Sequence, residues 1–466
     1  MQLEFWGAAQ TVTGSLHVVR TAAGQTILLD CGLFQGRRSE ARERNRTFPV
    51  PPSEVHAVVL SHAHIDHCGL LPKLWAEGFR GRIWATHATR DLCGLLLMDS
   101  AYIQEKDADF FNRKIRKKGQ EQVEPLYSQP DAERCLERFV SVGYRERFEP
   151  ADGITCEFRD AGHILGSATI TLEETVGGKT TRLGFTGDIG NPDRPILRDP
   201  QPIGDVDYLI CESTYGGRTH EPPGQAKAAL EAIIKRTSAR GGKVVIPAFA
   251  VGRTQEIVYI LDQLTNEGKL PPIPVFVDSP LAVNATSVFM THPECYDRDL
   301  LDYLRTDDNA FGFDRLEYVR KASRSKELNE LNGPAVVISA SGMCEAGRIL
   351  HHLRHNVSDP RATVLIVGYQ AEHTLGRRLV ERREEVKIFG KPHERRCDVE
   401  VLNHYSAHAD EPGVVDFVGT MDRERLKKIF LVHGDPERQG KMKAALETAG
   451  HRGVEIPARG DAFRLS

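Results

Sequence analysis

The sequence lacks a long hydrophobic run. No stretch of eighteen consecutive apolar residues occurs in the chain, whereas a membrane-spanning helix needs roughly that length. The start of the sequence, Met1–Phe5, also lacks the basic and apolar regions of a secretory signal peptide. We therefore expect a cytoplasmic protein that makes no use of a membrane.

The cysteines lack any paired pattern. There are nine of them, an odd number, and no two form a Cys-x-x-Cys pair. Neither a disulfide framework nor a zinc ribbon is indicated, because both need regular cysteine spacing. We expect most of the nine to be buried thiols.

The chain also lacks an excess of positive charge. A net charge of −4 argues against a surface coated by nucleic acid, although one basic groove remains compatible with it. Three basic segments could line such a groove: Arg113–Lys118 and the regions 315–326 and 376–387. The alternative is that each is the solvated face of a helix.

What the sequence does contain is an ordinary globular composition over a long chain. Its 466 residues are 40% hydrophobic and 27% charged, which suits two or three folded domains.

Four side chains that can bind metal lie within six residues. His62, His64, Asp66 and His67 follow Val55–Leu60, which reads as a buried strand, and precede Cys68–Phe79, which reads as an amphipathic helix. Residues two apart in extended backbone share a face, so His62 and His64 can hold one ion while Asp66 and His67 turn toward a second. Imidazole and carboxylate ligands suit zinc better than manganese or iron.

The pattern His-x-His-x-Asp-His resembles the signature of the metallo-β-lactamase superfamily. That resemblance implies an α/β fold, an αββα sandwich with a dinuclear metal site. The segments Gly7–Ala9 and Val12–Ser15 look like the bacterial nuclease branch of the superfamily. Asp30, at the end of a third predicted strand, either caps a loop or holds a ligand histidine, and the resemblance favours the second role.

Two later strand ends offer further ligands. His163 stands between Gly162 and Gly166 after a predicted strand, and it matches the third motif of the superfamily, which implies a ligand of the first ion. Asp188 lies between two glycines, which allow backbone to approach a ligand closely. Its carboxylate can bridge two cations about 3.5–4 Å apart.

The pattern of elements changes after Asp188. From about residue 224 to 367 the sequence alternates helices with short apolar strands, among them Lys243–Ile246 and Ala335–Ser339, which predicts a parallel sheet flanked by helices. We expect residues 1–209 to form the first part of the sandwich, 210–396 an inserted α/β domain, and 397–466 the part that completes the sandwich.

Glu212, His408 and His433 look like three additional motifs of the β-CASP group, nucleases within the superfamily. The resemblance covers essentially the whole chain. It implies that His433 completes the second ion's ligands and that His408, charged or oriented by Glu212, donates a proton. The resemblance implies four catalytic residues in all: Asp66, His408, Glu212 and Asp30.

Three turns of the inserted domain have the chemistry to bind phosphate. Arg253 follows Gly252 at a helix start, His373 lies in a glycine-flanked turn, and Ser341 lies in a turn of small residues. The alternative for each is an ordinary strand-to-helix connection.

The resemblance implies a nuclease that holds two Zn²⁺ ions, with Mn²⁺ less favoured, and cleaves single-stranded RNA bound between the sandwich and the inserted domain. His433 favours RNA over DNA, by analogy with RNA-directed members of the group. Endonucleolytic cleavage is favoured over 5′-3′ exonucleolytic trimming, and a homo-oligomer is left open.

The sequence departs from the family at His404, where relatives usually carry a small or polar residue. We also expect no appended RNA-binding domain.

Two other functions fit parts of the pattern. Hydrolysis of a small lactam or thioester needs the sandwich but not the insert. A non-catalytic RNA scaffold would have lost ligands, yet every ligand position here is filled.

Overall fold

A computed structural model of the chain describes residues 1–115, 122–220, 225–402 and 406–466. These residues form two compact units. Unit 1 comprises Met1–Pro192, Asp199–Thr219 and Ala407–Ser466, and unit 2 comprises Asp193–Arg198 and His220–Ser406.

The regular elements are numbered in chain order. The strands are β1 (Gln2–Phe5), β2 (His17–Arg20), β3 (Thr26–Leu29), β4 (Val55–Val59), β5 (Arg82–Ala85), β6 (Phe139–Ser141), β7 (Arg147–Ala151), β8 (Ile154–Asp160), β9 (Ala168–Val176), β10 (Lys179–Phe185), β11 (Tyr208–Glu212), β12 (Lys243–Pro247), β13 (Val275–Val277), β14 (Leu316–Tyr318), β15 (Ala335–Ser339), β16 (Thr363–Ile366), β17 (Glu385–Ile388), β18 (Lys391–Glu394), β19 (Asp398–Val401), β20 (Lys428–Val432), β21 (Val454–Glu455) and β22 (Ala462–Arg464). The helices are α1 (Arg38–Arg44), α2 (Ile65–Cys68), α3 (Leu71–Ala76), α4 (His87–Ile115), α5 (Gln129–Leu136), α6 (Ala226–Ala239), α7 (Arg253–Asn266), α8 (Pro280–Thr291), α9 (Arg298–Tyr303), α10 (Ala322–Glu330), α11 (Ile349–Asn356), α12 (Leu375–Val380), α13 (Glu411–Gly419) and α14 (Pro436–Thr448).

Unit 1 contains two seven-stranded sheets. The first has the order β22-β1-β2-β3-β4-β5-β6, and the second has the order β21-β20-β11-β10-β9-β8-β7. Strands β1 to β3 form the antiparallel meander that the sequence predicts. The second sheet reaches the C-terminal segment because β11 pairs in parallel with β20.

The main core of unit 1 lies between these sheets. Phe5 and Leu29 of the first sheet and Phe158, Phe185 and Phe430 of the second belong to one buried cluster. On the other face of the second sheet, Leu209 and Leu431 pack with α13 and α14. On the first sheet, α4 contacts β6, and α5 packs against both α4 and α3. Two helical layers therefore enclose two sheets, and the predicted αββα sandwich is confirmed.

The helix predicted over Cys68–Phe79 is shorter in the structure. Only Leu71–Ala76 of this range forms α3, and Cys68 is the last residue of the preceding α2. Pro72 lies in the first turn of α3, where its missing N–H costs nothing, but it cannot donate within a longer helix. The prediction of one continuous helix was wrong for this reason.

Unit 2 is built on a six-stranded sheet with the order β14-β13-β15-β12-β16-β19. Every pairing in this sheet is parallel. The predicted parallel sheet is confirmed, and its inner strands β12 and β15 are buried on both faces. Strands β17 and β18 form a separate antiparallel hairpin.

The two units divide the chain at other positions than the predicted ones. Residues 210–219 lie in unit 1, because β11 pairs with β10 and β20. Residues 397–406 lie in unit 2, because β19 pairs with β16. Local sequence patterns identify both strands but not their partners.

All nine cysteines are buried and none forms a disulfide, as predicted. Within the described parts of the chain, no helix combines the length and the apolar character needed to cross a bilayer.

Candidate metal centre

The first group of candidate ligands forms around the turn between β4 and α2. His62 Nε2 lies 3.1 Å from His64 Nδ1, which lies 3.2 Å from His163 Nε2. Asp188 Oδ2 is 3.5 Å from both His62 Nε2 and His163 Nε2. The backbone of His64 is extended, with φ −60° and ψ 145°, which directs His62 and His64 to one face as the spacing predicts.

The second group lies beside the first. His67 Nε2 and His433 Nε2 are 3.2 Å apart, and Asp66 Oδ2 is 3.5 Å from His433 Nε2. Asp188 Oδ2 is 3.3 Å from His67 Nε2, and Asp188 Oδ1 is 3.6 Å from His433 Nε2. One carboxylate therefore faces both groups.

The glycines around Asp188 permit this arrangement. A Cβ atom on Gly190 would lie 1.9 Å from the carbonyl oxygen of Gly162, and a Cβ atom on Gly187 would lie 2.6 Å from Cβ of Ser61. Gly187 also has a φ of +53°. The Asp188 loop can pack directly on the turns that carry His62 and His163 only because these positions are glycine.

Several histidines hold Nδ1 away from the ligand groups. His62 Nδ1 lies 3.0 Å from Ser61 Oγ, His163 Nδ1 3.0 Å from the Ala407 carbonyl oxygen, and His433 Nδ1 3.1 Å from Thr214 Oγ1. These partners leave each Nε2 atom directed at its group. Ligand histidines in metal sites are oriented in this way.

Burial and charge further suit the two groups to cations. Burial lowers the pKa of His62 and His163 well below the usual range and that of His64 to about 4, which favours neutral imidazole. Neutral imidazole is the form that binds metal. Asp188 Oδ1 is buried and has no hydrogen-bond partner among the described residues.

The side chains of Asp188 and His67 are charged, and a bound cation would balance the first charge and replace the second. Burial opposes ionisation of Asp188, but the neighbouring His433, His67 and His408 outweigh it and hold its pKa well below the usual range. Burial likewise lowers the pKa of His67, but Asp188 and Asp30 outweigh it and raise that pKa. A cation at the second group would displace the extra proton of His67. The donor set therefore fits metal, and its nitrogen and carboxylate composition suits zinc.

Asp30 lies behind the second group. Its Oδ2 atom is 2.7 Å from His67 Nδ1 and accepts hydrogen bonds from the hydroxyls of Ser15 and Ser61 at 3.0 Å each. Its Oδ1 atom accepts a bond from the Ser61 amide at 2.8 Å. Asp30 also has a φ of +60°, a strained value that these four side-chain contacts hold in place. Of the two alternatives, the structure places Asp30 against His67, a candidate ligand.

His408 and Glu212 form a third group with Asp188. His408 Nδ1 is 3.2 Å from both carboxylate oxygens of Glu212 and 3.9 Å from Asp188 Oδ2. Burial lowers the pKa of His408, but the two carboxylates outweigh it and raise the pKa to about 9. The His408 side chain keeps 20% of its surface exposed, while Glu212 is fully buried.

Sequence reasoning missed three hydroxyl residues of the site. Ser15 and Ser61 bind Asp30, and Thr214 Oγ1 donates to Glu212 Oε2 at 2.6 Å while facing His433 Nδ1. Ser61 directly precedes His62 and Thr214 is two residues after Glu212, which was the available signal. Serine and threonine are too common at turns for that signal to be specific.

The predicted phosphate-binding residues lie in unit 2. Arg253 is only 7% exposed and its guanidinium pairs with Glu256 at 2.5 Å. The Ser341 hydroxyl accepts hydrogen bonds from the amides of Glu345 and Ala346. His373 is exposed and lines a cavity of about 440 Å³. The three turns follow β12, β15 and β16, which are adjacent in the sheet.

The basic segments are partly neutralised. Arg324 pairs with Glu317 and Glu327, and Glu381 pairs with both Arg377 and Arg383. The segment Arg113–Lys118 falls partly outside the described residues, and His404 lies outside them altogether.

An αββα sandwich with two metal-ligand groups that share one aspartate defines a metallo-hydrolase. Three family matches agree with this class. Residues 11–248 match the Metallo-beta-lactamase superfamily, residues 254–379 the Beta-Casp domain, and residues 392–457 the Zn-dependent metallo-hydrolase RNA specificity domain. The chain belongs to the β-CASP group of the metallo-β-lactamase superfamily.

Curated relatives align along almost the whole chain. Ribonuclease TTHA0252 of Thermus thermophilus is 36% identical over 456 residues, which cover 98% of this chain and 97% of the relative. An RNase J-like protein of Methanocaldococcus jannaschii is 32% identical, with coverage of 93% and 92%. Transcription termination factor FttA of Methanosarcina mazei is 31% identical over 92% of this chain and 66% of its own length.

Proposed function

We propose that this chain is a zinc-dependent ribonuclease that hydrolyses phosphodiester bonds of single-stranded RNA, by endonucleolytic rather than 5′-3′ exonucleolytic cleavage. The observation that carries the proposal is the joint approach of seven ligand side chains in two groups that share Asp188, with His408 beside them. The names of the relatives, a ribonuclease and an RNase J-like protein, support RNA as the substrate.

In this proposal each group holds one ion. His62, His64 and His163 would hold the first, Asp66, His67 and His433 the second, and Asp188 would bridge them. Two such ions, when bound, lower the pKa of water and polarise a phosphoryl oxygen. The protein's part is to keep the ligand atoms in place, which Asp30 does for His67 and Thr214 for His433.

His408 would act as the general acid. Its Nδ1 faces Glu212, and its Nε2, on the other side of the ring, would donate to the departing ribose oxygen. Glu212 and Asp188 favour the protonated ring, which is the form that donates. Glu212 is itself fixed by the amide of Ile189 at 2.6 Å and by Thr214.

Arg253, His373 and Ser341 are proposed to contact the RNA backbone. His373 is the most accessible of them. Arg253 would have to exchange part of its pairing with Glu256 for a phosphate.

The test combines metal analysis with product mapping. Purified protein is expected to contain two zinc ions per chain and to cleave an internally labelled single-stranded RNA at internal positions, regardless of a triphosphate, monophosphate or hydroxyl at the 5′ end. Hydrolysis of a chromogenic lactam without RNA cleavage would reject the proposal. Products released only as mononucleotides from the 5′ end would reject the endonucleolytic mode.

A further inference from the structure

Two large aromatic side chains of unit 2 are exposed where one expects them to be buried. Phe249 is 46% exposed and Tyr369 is 53% exposed. Phe249 follows β12 and Tyr369 follows β16, and these two strands are hydrogen-bonded neighbours. Both rings therefore stand at the carboxyl edge of the parallel sheet.

In open α/β sheets, ligands bind at the carboxyl ends of the strands, at the point where the strand order reverses. The chain leaves β12 toward β13 on one side of the sheet and leaves β16 toward β19 on the other. Adjacent strands whose connections diverge in this way open a crevice at their carboxyl ends, where open α/β sheets bind ligands.

One glycine links the two aromatic turns. A Cβ atom on Gly342 would lie 3.0 Å from the Phe249 ring, and the Gly342 carbonyl oxygen accepts a hydrogen bond from Gln370 at 2.9 Å. Gln370 directly follows Tyr369. The main-chain oxygen of Phe249 is also held by Thr254, at 2.8 Å. The backbones of both turns are thus fixed while their rings face outward.

Positive charge lies next to this edge. The segment that follows Tyr369 lines a cavity with Glu372, His373, Arg377, Arg378, Glu381 and Arg383. Tyr369 lies close enough to Arg377 to interact with it electrostatically. Glu381 pairs with Arg377 and Arg383, whereas Arg378 forms no ion pair with any described residue and donates to the His373 carbonyl oxygen.

We infer that Phe249 and Tyr369 form a stacking platform for the bases of single-stranded RNA, with Arg378 as a contact of the adjoining phosphate. Aromatic faces beside positive charge are what unpaired, negatively charged strands bind, because every base has a face that stacks. A duplex would be excluded, since its bases already stack on one another. This inference rests on the proposed function and names the part of the chain that holds the substrate's bases.

The experiment compares three substitutions at Phe249 and two at Tyr369 with a matched control. Phe249→Ala and Tyr369→Ala remove the rings, Phe249→Leu keeps bulk without an aromatic face, and Phe249→Trp and Tyr369→Phe keep the face. Phe389→Ala is the control, because Phe389 is a 52% exposed phenylalanine of the same unit in the β17–β18 hairpin. The zinc-loaded full chain and a labelled 12-nucleotide RNA are used, and KM and kcat are measured separately.

Stacking affects binding more than chemistry, so we expect KM to rise roughly 5- to 150-fold per lost ring, with little change in kcat. Phe249→Leu should behave as Phe249→Ala, while the aromatic replacements and Phe389→Ala should match wild type. A KM unchanged by loss of either ring would overturn the inference, as would full rescue by leucine.

A second comparison asks whether the rings contact bases. RNA with abasic positions should bind wild type as weakly as normal RNA binds the ring-deleted variants, and those variants should not discriminate between the two RNAs. If deletion of a ring weakens the binding of normal RNA and of abasic RNA by the same factor, the inference is wrong. A change in sedimentation of the variants with unchanged KM would also overturn it and would indicate contact with a second copy of the chain.

Failure of the proposed function is separable from failure of this inference. If the wild-type protein cleaves no RNA, the labelled RNA stays intact. Its affinity for the wild type and for the variants can then be measured by fluorescence anisotropy. Loss of affinity in the ring-deleted variants would still support the platform, whereas equal affinities would reject it.

Discussion

His408 Nδ1 is 3.2 Å from both carboxylate oxygens of Glu212, a contact that directs the other ring nitrogen away from the acid. We predict that His408→Ala keeps its metal and its RNA affinity but loses about 10²- to 10⁴-fold in cleavage rate, the usual contribution of a general acid. Single-turnover cleavage and elemental analysis measure the two effects. Loss of metal from this variant would instead identify His408 as a ligand.

Asp188 faces both ligand groups, so its removal should affect both. We predict that Asp188→Ala lowers the metal content of the purified protein and abolishes RNA cleavage, because neither group retains its shared carboxylate. Asp152→Ala, at an exposed position of the sandwich, serves as the control. An Asp188→Ala protein with two ions and normal cleavage would contradict the shared site.

Ser61 connects the two groups through its hydroxyl. This Oγ atom is 3.0 Å from His62 Nδ1 and donates to Asp30 Oδ2, which holds His67. We predict that Ser61→Ala weakens metal binding by about 10- to 100-fold, the typical effect of removing a residue that orients ligands. Chelator competition measures this affinity.

Ser15→Ala is the matched comparison for Ser61. Ser15 donates to the same Asp30 oxygen, whereas the hydroxyl that lies against His62 Nδ1 is that of Ser61. It should therefore weaken the second ion while sparing the first, and identical effects of the two substitutions would argue against a link through Ser61.

Arg253 tests the proposed backbone contacts. We predict that Arg253→Ala flattens the slope of log affinity against log salt by up to about 0.7, the value for one phosphate of a single strand. Arg298→Ala is the control, because the Arg298 side chain is 92% exposed in the same unit. A lower unfolding midpoint with an unchanged slope would make Arg253 a purely structural partner of Glu256.

Asp262 makes the stability of unit 2 depend on pH. Its carboxylate is buried and accepts a hydrogen bond from Tyr303, and burial raises its pKa to about 6. Because the folded state binds this proton more tightly, the associated stability is present below about pH 4 and is lost as pH rises through 6.

We therefore predict that Asp262→Asn shifts the free energy of unfolding in the stabilising direction at pH 7.5 relative to its effect at pH 4. The difference should be about 1 kcal/mol after allowance for solvent screening. Urea unfolding at the two pH values measures it. A substitution effect that is equal at both would show that Asp262 keeps its ordinary pKa in the folded protein.

The sequence identified those parts of the centre that depend on short-range spacing. His62 and His64 share a face because they are two apart in extended backbone, and the glycines beside Asp188 indicated a close approach that the structure contains. Such features follow from the dihedral preferences of a few consecutive residues.

Other parts depend on contacts between distant segments. Ser15 meets Asp30, and Thr214 meets His433, only after two sheets have formed. The pairing of β19 with β16 likewise joins distant residues. So does the ion pair of Arg194 with Glu256, a carboxylate that also pairs with Arg253. A local pattern contains no information about such partners.

The centre draws on both ends of the chain. His62 is near the start, while His408 and His433 lie in the segment that follows unit 2, and β20 delivers His433 by pairing with β11. A nascent chain that has reached residue 406 therefore lacks both late histidines. Translation must therefore proceed past His433 before both ligand groups can be complete.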